Sequence, residues 1–163
     1  MLLDTSNLKR IPSMDADCFA CGTENQSGLG MAFYTDGYKL YAEVVPPSHL
    51  RGWRNVLHGG ISATILDEIM AWSAIHLLQR FILTKSVQVD FVKPIYIKRP
   101  LLVEGWVEEL LSDRSARMRG CIKDASGEEA ARAVGEYALF QAGSKAFKRI
   151  VPDVDEEALA KRF

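Results

Sequence analysis

The stretch NVLHGGISATILDEIMAW, residues 55–72, places an imidazole, two adjacent glycines and two carboxylates within one helix-length segment. The first turn of a helix has backbone N–H groups without an internal partner, and its dipole favours negative charge there. At such a position Gly59 and Gly60 offer N–H donors bare of side chains to a carbonyl oxygen or oxyanion. His58 can add a ring N–H or fix the turn. The purely structural alternative is a tight lead-in turn with His58 as N-terminal cap. Asp67 is a candidate nucleophile or general base, against the alternative of a buried acid with no chemical task. Glu68 points about 100° away around the helix and reads as structural or interfacial. Asp67 follows His58 by nine positions, roughly 12–14 Å along a helix at 1.5 Å per residue. One chain cannot bring both to one carbonyl. A second copy, with its own helix start beside Asp67, can.

The elements that position these groups follow from patterning. Residues 59–80 contain no proline, and their only glycines are the first two; length and residue types predict a helix from Gly59 to about Arg80. Ile61, Ile65, Leu66, Ile69, Met70, Trp72, Ile75, Leu77 and Leu78 fall nearly all round it, so the helix should be surrounded. One stripe, through Gly60, Ala63, Thr64, Asp67, Ala71 and Ala74, is small apart from the acid, so a backbone or a ligand should approach it closely. Upstream, Asp36-Gly37 separates two β-rich runs and predicts a hairpin with strands near 29–35 and 38–45, stopped by Pro46 and Pro47. The segment SHLRGWRNVL reads as a loop. Downstream, TKSVQVDFVKPIYI, LLVEGWVEELL, RSARMRGCIKD and EAARAVGEYALFQ read as four strands forming an antiparallel meander. In the second, Glu104 and Glu108 should face out. In the third, Ala116, Met118, Gly120 and Ile122 oppose Arg117, Arg119 and Lys123. The expectation is an α+β fold with one long central helix wrapped by a six-stranded antiparallel sheet. One helix cannot cover such a sheet fully, so some apolar surface should meet a second copy.

With 163 residues, 48% hydrophobic and 25% charged, the chain has the length and make-up of one globular domain. We expect a polar leader over 1–17, the domain over 18–142, and a tail over 143–163 whose end, DVDEEALAKRF, can form a short helix. The formal net charge of -1 gives no support to broad nucleic-acid binding. The N-terminus shows no signal-peptide pattern and no run reaches a membrane span of uncharged apolar residues, so the cytoplasm is the default and no membrane partner is expected. Three cysteines without a secretion signal argue against a disulfide framework. Cys18 and Cys21 form a Cys-x-x-Cys pair that supplies two metal ligands by itself. It reads first as two thiols under a loop, with zinc or redox chemistry as the alternative.

HGGISATILDEIMAW resembles the hotdog-fold thioesterases, in which an HGG signature opens a long central helix and an acid follows nine residues after the His. CFACGTENQSGLGMAF upstream and VQVDFVKPIYIKRPLLVEGWV downstream extend the likeness over about residues 18–142, similar to the phenylacetic-acid-type branch. What the resemblance implies is hydrolysis of an acyl-coenzyme A thioester to free acid and CoA, in a homodimer or homotetramer with sites at the subunit interface. Gly59 N–H would polarise the carbonyl, His58 would support the turn, and the partner copy's equivalent of Asp67 would act as nucleophile or general base. Thr84, ten residues before Pro94, would assist by orienting water or the acid. Gly60 and Asn25 would lie near the thioester, and Lys93, Lys98 and Arg99 near the CoA phosphates, unless these three are solvated surface charge. Trp53, Met70, Trp72 and Phe81 either line an acyl tunnel or belong to the core. No metal and no cofactor beyond CoA, as part of the substrate, is expected. The competing readings are a hotdog acyl-thioester dehydratase or hydratase, and a non-catalytic acyl-CoA-binding protein.

Overall fold

A computed structural model describes residues 2–152. The expected helix in DVDEEALAKRF lies outside the described residues. In chain order the elements are β1 (Lys9–Ile11), β2 (Phe33–Thr35), β3 (Leu40–Val44), a 3-10 turn (Ser48–Leu50), β4 (Arg51–Trp53), β5 (Val56–Leu57), α1 (Gly59–Leu78), β6 (Phe81–Phe91), β7 (Leu101–Ser112), β8 (Ser115–Lys123), β9 (Glu129–Phe140) and α2 (Lys145–Ile150). One antiparallel sheet runs in the order β1-β2-β3-β7-β8-β9-β6, and β4 and β5 make a separate hairpin. The long helix packed against a large antiparallel sheet is the hotdog arrangement the sequence suggested.

Three expectations are corrected. The sheet has seven strands, not six, because Lys9–Ile11 pairs with β2. The four later strands are not a simple meander: β7, β8 and β9 are consecutive, but β6 pairs with β9 instead of β7. The nine residues 92–100 between β6 and β7, with Pro94 and Pro100, are long enough to cross over. The loop SHLRGWRNVL contains the β4–β5 hairpin, turned by Arg54 at φ +53° without a glycine.

The helix sits where the sheet is thinnest. Gly105, Gly120 and Ala133 are register partners across β7, β8 and β9, so a row of small residues crosses the inner face. Over that row lie Ile69, Met70 and Ser73: a Cβ at Gly105 would come within 2.6 Å of Ser73 Oγ, and one at Gly120 within 3.1 Å of Met70 Cγ. Ile65, Leu66, Ile69 and Met70 are fully buried together with Met118 and Ile122. By length and mean hydropathy (1.3) α1 could cross a membrane, but 56% of that window is buried inside the fold. Gln79 in left-handed conformation ends the helix, one residue before the expected limit, and its side chain donates to the His76 carbonyl.

Glu104 does lie on the outer face, but it is buried rather than solvated, 7% exposed between Lys39 and Lys123. Burial alone would raise its carboxyl; the two ammonium groups outweigh that and hold it below the usual range. The folded state therefore releases this proton more readily than the unfolded chain. Its stabilisation is present above the ordinary carboxylate pKa and lost as pH falls through the folded one. Glu104→Gln should cost about 1–2 kcal/mol at neutral pH, because both lysines remain partly solvated. Urea melts at descending pH should show the gap to wild type closing in the acid range.

Candidate active site

The helix start is built by its neighbours. His58 N–H donates to the Leu50 carbonyl (3.0 Å), Leu57 N–H to Ile95 (2.8 Å), and Val56 bridges to Tyr96. These contacts aim residue 58 into the first turn. His58 Nδ1 then accepts the Gly60 N–H at 3.0 Å, so His58 is the N-cap and this ring nitrogen carries no proton. The Ile61 and Ser62 N–H groups both bond the His58 carbonyl. Gly60 N–H is thus engaged. Gly59 N–H has no hydrogen-bond partner among the described residues. A Cβ at Gly59 would touch the Phe91 ring at 3.4 Å, so the donor sits beside an aromatic edge.

Asp67 is half-buried on α1, and its Oδ1 accepts from the Tyr137 hydroxyl at 2.7 Å and the Thr84 hydroxyl at 3.1 Å. Thr84 and Tyr137 are register partners on β6 and β9, so one rung of the sheet delivers both donors to one oxygen. The register shift after Thr84 marks a bulge at this point of β6. Tyr137 is fully buried, and burial, then the Asp67 charge, pushes its phenol far above the ordinary value. It remains a hydrogen-bond donor throughout the working pH range. The Asp67 side chain is held in one orientation, and its second oxygen has no hydrogen-bond partner among the described residues.

Tyr137 was not among the residues singled out from sequence. Its signal was Gly135 two places earlier on the same face of β9. A Cβ there would lie 2.7 Å from the Tyr137 ring, so glycine makes the room in which the ring lies. Tyr137→Phe should keep the ring packing and cost about 1–2 kcal/mol through the lost hydrogen bonds to Asp67. Thermal unfolding of the purified variant measures this directly.

The other expected positions fall elsewhere. The Asn25 side chain donates to the Asp17 carbonyl and accepts from Ser27 N–H, which closes its own loop. Lys93 bonds Asp124 and Glu128, both at 2.6 Å. Lys98 is exposed at φ +61°, and the Arg99 guanidinium lies 5.5 Å from the centre of the Tyr96 ring. Met70, Trp72 and Phe81 are core residues, whereas Trp53 is 77% exposed. The Glu68 carboxylate accepts from Trp72 Nε1 at 3.0 Å and faces Cys18 and Cys21, away from Thr84 and Tyr137. Within one chain Gly59 and Asp67 stand at separate places along α1.

Residues 54–131, which include the helix start, Asp67 and Thr84, match the family model described as Thioesterase superfamily. That segment is similar to the thioesterase superfamily. The match stops short of Tyr137. No curated protein matches the chain. Solved structures are similar to this chain in fold at low identity. One, a thioesterase superfamily protein, aligns with TM-score 0.69 and 21% identity over 76% of this chain; the alignment spans only 60% of that protein. The PaaI protein of E. coli, from the phenylacetic acid degradation operon, aligns with TM-score 0.63 and 15% identity, covering 72% of this chain and 87% of that one. A hypothetical thioesterase of Streptococcus pneumoniae crystallised with coenzyme A gives TM-score 0.60 and 14% identity, over 64% and 80%.

Proposed function

We propose that the protein hydrolyses an acyl-coenzyme A thioester to a free acid and CoA. The observation that carries this reading is Asp67: a half-buried carboxylate on the core helix, oriented by Tyr137 and Thr84 yet reachable. The match of residues 54–131 to the thioesterase superfamily and a structural neighbour crystallised with coenzyme A support it.

The reaction needs a donor at the carbonyl oxygen and a base or nucleophile at the carbonyl carbon. Gly59 N–H, at the positive end of α1, supplies the first, and the charge developing on oxygen strengthens that contact in the transition state. His58 holds the turn through Gly60. Asp67 supplies the second, either by taking a proton from the attacking water or by direct attack to a mixed anhydride that water then opens. In both routes the C–S bond breaks and the CoA thiolate leaves, to be protonated by solvent.

Because Gly59 and Asp67 lie roughly 12 Å apart along the helix, each site draws on two copies. Two features favour self-association: the outer edge of β6 is unpaired among the described residues, and Phe91 and Val92 beside it are 58% and 51% exposed. A homodimer or homotetramer follows, and sedimentation at micromolar concentration tests it. Lys98 and Arg99 are the cations available for CoA phosphates; Lys93 is neutralised by its acids.

The deciding assay is release of CoA thiol from short, long and aromatic acyl-CoA substrates. Turnover with any of them supports the reading. Tight acyl-CoA binding without turnover indicates a binding protein. Water addition to an enoyl-CoA without thiol release indicates a hydratase.

A further inference from the structure

We propose that Cys18, Cys21 and Glu68 form a zinc-binding site that fastens the loop before β2 to the central helix. This does not depend on the proposed hydrolysis. The sequence supplies two thiols in a Cys-x-x-Cys pair; the fold brings the third donor from fifty residues away. One donor atom of each residue lies within 4.8 Å of the other two, with Cys18 Sγ 3.9 Å from Glu68 Oε1. Zinc bonds of about 2.3 Å to sulfur and 2.1 Å to oxygen at tetrahedral angles put those two atoms roughly 3.6 Å apart. That pair closes with a shift of a few tenths of an ångström, and the third donor needs a side-chain adjustment of up to about 1 Å.

The loop holds the two thiols together by its backbone. Gly22 N–H bonds the Cys18 carbonyl at 2.9 Å, turning the chain so that both sulfurs face one way. Only glycine fits at residue 22: a Cβ would lie 2.4 Å from the Ala16 oxygen and 2.5 Å from that of Cys18. Leu29 N–H to Phe19 O (2.8 Å) and Met31 N–H to Ala20 O (2.9 Å) clamp the return strand of the loop. The carboxylate is equally fixed. Trp72 Nε1 donates to Glu68 Oε1 at 3.0 Å, while the indole stacks on Phe33 at 5.0 Å. Metal-binding side chains need such supporting hydrogen bonds to keep their orientation.

Charge points the same way. Glu68 has no Lys, Arg or His ion pair among the described residues. A divalent cation there would supply the missing positive charge beside the carboxylate and displace the two thiol protons to solvent. Two thiolates and a carboxylate suit zinc better than magnesium or calcium, which take oxygen ligands. A water or an added ligand completes four-coordination.

The test is cobalt(II) titration of the full-length protein, reduced and treated with chelator, followed by displacement with zinc. One equivalent per chain should produce a thiolate-to-cobalt charge-transfer band with the visible bands of a tetrahedral site, and zinc should abolish them. Cys18→Ser and Glu68→Gln should each weaken cobalt binding at least tenfold. Cys121→Ser, whose thiol lies beside Glu104 on the outer face, should leave it unchanged. Circular dichroism separates lost binding from lost fold, and Cys18, partly exposed, is the variant least exposed to that ambiguity. Absence of the charge-transfer band in folded, fully reduced protein overturns the proposal. So does a band that survives in folded Glu68→Gln at unchanged affinity.

Discussion

Asp67→Asn is expected to lower kcat for thioester hydrolysis by about 10²–10⁴-fold, the range associated with a positioned general base. The substitution is nearly isosteric, and the amide oxygen can still accept from Tyr137 and Thr84, so the rung that orients residue 67 survives. What disappears is the ability to take a proton or attack a carbonyl. Unfolding temperature should therefore barely move, while KM changes little if substrate binding is intact. Thiol-release kinetics on the best acyl-CoA of the panel, beside a thermal melt, give both readouts. Equal kcat for variant and wild type would remove Asp67 from the chemistry. A large fall in melting temperature would instead make it a structural acid.

The second large effect concerns stability. Gly105→Ala should cost about 2–3 kcal/mol, the upper part of the range for forcing volume into a packed core. For a chain of this length that is a fall of about 5–10 °C in unfolding temperature. A Cβ there would meet Ser73 Oγ at 2.6 Å, the Ile69 carbonyl oxygen at 2.8 Å and Ile69 Cγ1 at 3.0 Å. Ser73 can rotate away, though it would lose its 2.7 Å bond to the Ile69 carbonyl. The carbonyl is helix backbone and moves only with α1, which packs on β6, β7, β8 and β9 at once. Gly127→Ala is the useful contrast. Nothing lies within 4 Å of its added Cβ, but its φ of +81° disfavours alanine, so about 1 kcal/mol is expected. Differential scanning calorimetry of the two variants compares closeness of packing with backbone strain. Similar losses would show that α1 gives way at Gly105.

The long helix and the β2–β3 hairpin were legible because their signals are local. No proline interrupts residues 59–80, and Asp36-Gly37 is a turn by composition. Asp36 caps that turn, accepting from the Tyr38 and Lys39 N–H groups at 2.8 Å each. Strand faces on β8 were also readable: Ala116, Met118, Gly120 and Ile122 all point inward. What escaped depends on distant partners. β1 is three residues without a period of its own and exists because β2 receives it. The pairing of β6 with β9 cannot be inferred from order along the chain. Tyr137 was not singled out, because its contact with Asp67 requires the β6–β9 register. Glu68 looked merely structural because the two thiols facing it arrive on a loop fifty residues upstream. Lys93 resembled a free cation because Asp124 and Glu128 come from the far side of a β-turn.

The helix start, Asp67 and Glu68 share one rigid ruler, and that limits how the sequence can drift over evolutionary time. Each residue added or removed between His58 and Asp67 would turn every following side chain by about 100° and slide it by 1.5 Å. Asp67 would leave the Tyr137–Thr84 rung, Glu68 would leave the cysteines, and Ile69 would no longer sit over Gly105. No compensating change at one position could restore all three walls. Point substitution is thus the tolerated currency of change within this helix, and length variation is confined to connections such as residues 92–100 and 124–128.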